Sequence, residues 1–90
     1  MPKQVRQKYE AGEPMTLEQA KQARKGQILY SRYSKNADGT PRRWKVTSVK
    51  TWKRSPGLVE VRIQHGLYDH ARLHQGILHE LSTEQHEVTP

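Results

Sequence analysis

Apolar residues in this chain fall in short alternating runs separated by turn-forming residues. The clearest run is Leu58–Gln64, where Val59, Val61 and Ile63 point one way and Glu60, Arg62 and Gln64 the other. A period of two is the signature of a half-buried strand. His65-Gly66 closes it. Gln27–Tyr33 reads as an earlier strand, built on Ile28, Leu29, Tyr30 and Tyr33. Arg42–Lys53 lies between these two strands and changes phase partway. Trp44 and Val46 share a face, but Val49 falls on the other one. One extra residue near Thr47-Ser48 would put Trp44, Val46 and Val49 together, so the pattern predicts a β-bulge there.

The connections carry their own signals. Asp38-Gly39 predicts a tight turn within residues 34–41, because Gly tolerates the positive φ such a turn needs. Arg54-Ser55-Pro56-Gly57 predicts a second. Ahead of the strands, Thr16–Arg24 reads as a short helix. Thr16 sits at the N-cap, with Gln19 at capping-box spacing and Gly26 as the stop. Tyr68–Leu81 is open to two readings. Leu73, Ile77, Leu78 and Leu81 suit a helix broken at Gly76, and Ala71–Leu73 equally suits a last short strand. Residues 1–15 and 82–90 read as flexible tails around a single domain at 16–81, with a short helical piece allowed over Lys3–Tyr9.

These elements predict a mainly β domain. Its form is a small SH3-like barrel or a curled antiparallel sheet with an N-terminal helix, the alternative being an open α+β meander. At 90 residues with no Phe and a mean hydropathy of −1.04, the core must be thin, and the two Trp and four Tyr supply much of its area.

Charge narrows the function. The net charge is +7, and residues 21–72 hold thirteen basic side chains against Asp38, Glu60 and Asp69, whereas residues 73–90 carry three Glu and no Lys or Arg. A basic body of this kind attracts polyanions: DNA, RNA or an acidic protein surface. The sequence leaves open whether the acidic end folds over the basic face.

The densest cluster is Arg42-Arg43-Trp44-Lys45, continued by Lys50, Trp52, Lys53 and Arg54 on one hairpin arm. Together with Arg32, Lys35 and Arg62 these form the candidate nucleic-acid face. The cations neutralise phosphates, and Trp52, or less so Tyr33, stacks on bases. Trp44 reads as core, and Trp52 reads either way.

Other chemistry is weakly supported. With no Cys, thiolate metal sites, disulfides and thiol nucleophiles are excluded. His70 and His74 would share a face if that segment were helical, a usable zinc spacing, but surface histidines are the simpler reading. Asn36–Thr40 lacks the later acidic ligand of a calcium loop. His65 near Tyr68 and Asp69 lacks any nucleophile or phosphate-loop motif around it. The chain reads as a binding protein and not an enzyme, with no cofactor or metal. No apolar run exceeds four residues, so neither a membrane span nor a signal-peptide core is expected, and the expected location is cytoplasmic.

Three strings add a resemblance: Lys35-Asn36-Ala37-Asp38-Gly39-Thr40-Pro41, Val49-Lys50-Thr51-Trp52-Lys53 and His65-Gly66-Leu67-Tyr68-Asp69. Over about residues 28–70 the chain resembles a group of small proteins encoded by tailed bacteriophages. The resemblance implies an accessory protein in the cytoplasm of a bacterial host. Such proteins bind nucleic acid or bind and inhibit a host protein. It transfers no mechanism. Gly66 suits an unusual backbone angle, with Leu67 and Tyr68 either packing back on the body or forming a contact loop.

Overall fold

The computed structural model describes residues 8–88. Thr16 caps a single-turn helix, α1 (Leu17–Lys21): its hydroxyl accepts from the Gln19 amide, and the Gln19 side chain accepts from the Thr16 amide. This is the reciprocal cap expected from the spacing. The helix ends earlier than the pattern suggests. Gly26, at φ +92°, instead turns the chain into the sheet, where its N–H donates to the Val46 carbonyl.

Five strands then form one antiparallel sheet. They are β2 (Ile28–Lys35), β3 (Pro41–Thr51), β4 (Val59–His65), β5 (Asp69–His74) and β6 (Leu81–Ser82). The order is β5-β4-β3-β2-β6, so β6 returns to lie beside β2 after a 3₁₀ turn at Leu78–Glu80. The fold is therefore mainly β, a curled antiparallel sheet with an N-terminal helix. Its edge strands β5 and β6 do not pair with one another, which leaves it open and not closed into a barrel.

The bulge lies where the phase change places it. Val46 opposes Ile63 and Ser48 opposes Arg62, so Thr47 is the extra residue. Beyond it Val49 opposes Val61, and both lie on the core side with Val46. The long β3 is central and serves two partners, with residues from Pro41 to Lys45 on β2 and from Lys45 to Thr51 on β4. Leu29, Val46, Val59, Val61 and Ile63 form the buried centre, and Met15, Ala20, Leu73, Leu78 and Leu81 close over it. Trp44 is half-buried against this cluster.

Two expectations need correction. Residues 8–11 and 85–88, read as parts of tails, are strands. They are β1 (Lys8–Ala11) and β7 (Gln85–Val88), paired from Lys8↔Val88 to Ala11↔Gln85. Met15 is buried too, and its N–H donates to Leu81. The folded unit therefore extends past both boundaries drawn at 16 and 81. Neither segment has an apolar stripe to announce it, and the partner that satisfies its backbone lies at the other end of the chain. Of the helical piece considered over 3–9, residues 3–7 lie outside the described residues, and Lys8 and Tyr9 are extended. The acidic end pairs with β1, which packs on β2 and β3.

The second correction concerns Tyr68–Leu81. Of its two readings the strand over Ala71–Leu73 holds, within β5, and the interrupted helix does not form: the segment is a strand, a 3₁₀ turn and a second strand. Its four apolar residues occupy different elements that converge on one core.

Candidate nucleic-acid interface

Pairing across the sheet decides which side chains share a face. Residues directly opposite in an antiparallel ladder point to the same side. Ile28↔Lys45↔Gln64↔His70, Ser48↔Arg62↔Arg72 and Lys50↔Glu60↔His74 form three rows on the side away from the core. Tyr30↔Arg43 adds a fourth. Arg43, Lys45, Lys50, Arg62 and Arg72 are all exposed there.

Within this face Arg62 and Arg72 stand directly opposite one another on β4 and β5. Like charges at such positions, with Cβ atoms about 5 Å apart, destabilise a sheet. Glu60 compensates only partly: its Oε2 lies 3.6 Å from the Arg62 Nε, on the same strand. Thr47, Arg62, His70 and Arg72 surround a depression of about 400 Å³. Thr47 is there because of the bulge, and its hydroxyl donates to the Arg62 carbonyl.

A second depression, of about 350 Å³, lies on the other side of Arg72, lined by Trp52, Leu58, Glu60 and His74. Trp52 and Leu58 are 38% and 39% exposed. The Lys50 ammonium sits over the Trp52 ring, 5.2 Å from its centroid. A cation so placed is attracted to the electron-rich ring face.

The ten residues predicted for the interface divide into groups. Arg43, Lys45, Lys50 and Arg62 share the outer face. Trp52, Lys53 and Arg54 lie at the end of the β3–β4 hairpin, where two successive turns, Trp52 to Ser55 and Ser55 to Leu58, reverse the chain. Arg32, Lys35 and Arg42 go elsewhere. Arg32 donates from Nη1 to the His79 carbonyl at 2.6 Å and lies over the Tyr33 ring. Lys35 is 3.9 Å from Glu10 of β1. Arg42 shares the inward phase of Trp44, and its Nε is buried with no hydrogen-bond partner among the described residues. Sequence reasoning left Arg72 and His70 out of the interface, because the segment holding them was open to both a helix and a strand. The only signal available was their alternation with Ala71 and Leu73.

The remaining candidates are also placed. His70 and His74 lie on a strand, where a spacing of four residues separates them by about 13 Å, too far to share a metal ion. No cluster of three or more metal-ligating side chains occurs among the described residues. His65 is held structurally, with Nδ1 2.8 Å from the Arg43 carbonyl oxygen. Asp38 serves its turn: its carboxylate accepts from the Thr40 hydroxyl at 2.6 Å and the Thr40 amide at 3.0 Å. The hydroxyl bond above all holds the Asp38 pKa below its ordinary value. Gly66 has the expected positive φ, +68°, but Leu67 and Tyr68 do not pack back and are 79% and 89% exposed. No helix among the described residues is long and apolar enough to cross a membrane. Comparison with family models, curated proteins and solved structures found no match to this chain.

Proposed function

We propose that the outer face of strands β3–β5 binds the phosphate backbone of nucleic acid. The observation that carries this reading is the Arg62–Arg72 pair. Two guanidiniums set opposite each other, beside a hydroxyl and an imidazole, raise the cost of the unbound state and lower it again when an anion sits between them. Lys45, Lys50 and Arg43 extend the positive surface along β3, so a linear polyanion meets successive cations. Contacts of this kind position a backbone and read little sequence. In keeping with the resemblance to phage proteins, the proposed setting is the cytoplasm of an infected bacterium.

The test is fluorescence anisotropy of labelled DNA and RNA oligonucleotides over a salt series. Binding should be saturable, and log affinity should fall linearly with log salt, with a slope of about −0.7 to −0.9 per phosphate contacted. Absence of binding at low salt would refute the reading.

One observation favours a second reading, docking on an acidic host protein. Leu67 and Tyr68 project from the β4–β5 turn almost fully exposed. Exposed aromatic and aliphatic anchors of this kind dominate protein interfaces. A pulldown from nuclease-treated bacterial lysate separates the two readings. A retained, saturable protein partner that L67S/Y68S releases would favour the second.

A further inference from the structure

Resting on the nucleic-acid reading, we infer that the ligand is single-stranded, with a phosphate in the Arg62–Arg72 depression and an unpaired base in the Trp52–Leu58 depression beside it. The two hollows differ in chemistry. The first is ringed by two guanidiniums and an imidazole, groups that can donate to a phosphate, with Thr47 beside them. The second presents mainly apolar surface, from Trp52 and Leu58. Arg72 is the wall they share.

Their spacing fits one nucleotide. The first hollow lies between His70 and Arg72 along β5, the second between Arg72 and His74. Two residues of strand advance about 7 Å, so the hollows are that far apart. A phosphate and the base of an adjoining nucleotide span a similar distance when the base is turned out of the stack.

A duplex buries its bases in pairs and presents only phosphates and groove edges. Against duplex, the second hollow would hold nothing and its apolar surface would stay wet. An unstacked base covers it, and Lys50, already seated on the Trp52 ring, stays close enough to meet the next phosphate. Stacking on one aromatic tolerates every base, so the preference is for strandedness and not for sequence.

The experiment compares three fluorescein-labelled probes of equal charge in anisotropy titrations. They are a thymidine oligonucleotide, the same phosphodiester chain with abasic sugars, and a hairpin duplex. The thymidine strand should bind on the order of tenfold to a hundredfold more tightly than the abasic chain. The variants Trp52→Ala and Trp52→Leu should erase that difference, so that each binds the thymidine strand no more tightly than the abasic chain. Both substitutions sit at an exposed hairpin end, and circular dichroism checks their fold. Equal affinity for all three probes, or a difference that survives both Trp52 variants, would overturn the inference while leaving backbone binding intact. No binding to any probe would overturn both.

Discussion

The imidazole of His65 lies against the indole of Trp44, with ring centroids 5.6 Å apart and planes tilted by 49°. Its Nδ1 is 2.8 Å from the Arg43 carbonyl oxygen. A carbonyl can only accept, so Nδ1 carries the proton, and the tautomer of this histidine is set by the strand beside it. The contact ties the end of β4 to the neighbouring stretch of β3, ahead of the bulge. His65→Ala should cost about 1.5–2.5 kcal/mol, from one net hydrogen bond and one ring contact. His65→Phe keeps the ring contact and should cost about 1 kcal/mol. Denaturant titration measures both, and nucleic-acid affinity should be unchanged in either.

Met15 belongs to the core, at 4% exposed, although the chain around it is polar. Met15→Ala should destabilise by about 2–5 kcal/mol, the usual cost of emptying a core site. For a domain whose total stability is on the order of 5–10 kcal/mol, that change is large. Deleting residues 1–15 should cost at least as much, since it also removes the β1–β7 ladder and the Gly12 N–H bond to Glu84. Thermal melts of the two variants check this. Wild-type stability after the deletion would show that the ribbon is dispensable.

Arg72→Glu separates stability from binding. The new carboxylate faces Arg62 and exchanges a repulsive cross-strand pair for an attractive one, a gain of about 0.2–1 kcal/mol. The same change should abolish nucleic-acid binding, because a phosphate then meets an anion. Arg72→Gln should make the salt slope shallower by about 0.7–0.9. Arg32→Gln and Lys35→Gln should leave the slope unchanged, since both side chains are engaged away from this face. Melting curves and salt-dependent anisotropy on the same preparations test all four.

Asp38 gives the β2–β3 turn a dependence on pH. The Thr40 hydroxyl, and then the Thr40 amide, stabilise its carboxylate and lower its pKa from the ordinary 3.8. The contribution to folding is therefore fully present above 3.8 and is lost as pH falls through the lowered folded value. The Thr40 amide resonance, followed by NMR during acid titration, should report an inflection below 3.8. Thr40→Val removes the hydroxyl donor and should move that inflection upward toward the ordinary carboxylate value.

Much of the hairpin architecture was legible because its determinants are local. Asp38-Gly39 announces a turn, and Gly39 takes φ +86° there. The phase change between Val46 and Val49 announces a bulge, since a strand must bend or lose half its buried face. Val59, Val61 and Ile63 announce a strand by strict alternation, and Thr16 with Gln19 caps the helix as their chemistry requires. Of the candidate interface, Arg43, Lys45, Lys50 and Trp52 were legible as one hairpin arm.

Tertiary structure decided the rest, because pairing and packing between segments set which residues meet. Lys8–Ala11 becomes a strand only because Gln85–Val88 arrives beside it. Leu73, Ile77 and Leu81 have helical spacing, yet Leu73 and Leu81 lie on two different strands of the sheet that meet in one core. Arg72 becomes an interface residue only when β5 pairs with β4 and sets it against Arg62. Arg42 leaves the interface because its strand phase turns it inward. Charge and turn chemistry are properties of neighbouring residues and can be read from the sequence. Which cations stand together is a property of the ladder register, and only the folded sheet determines it.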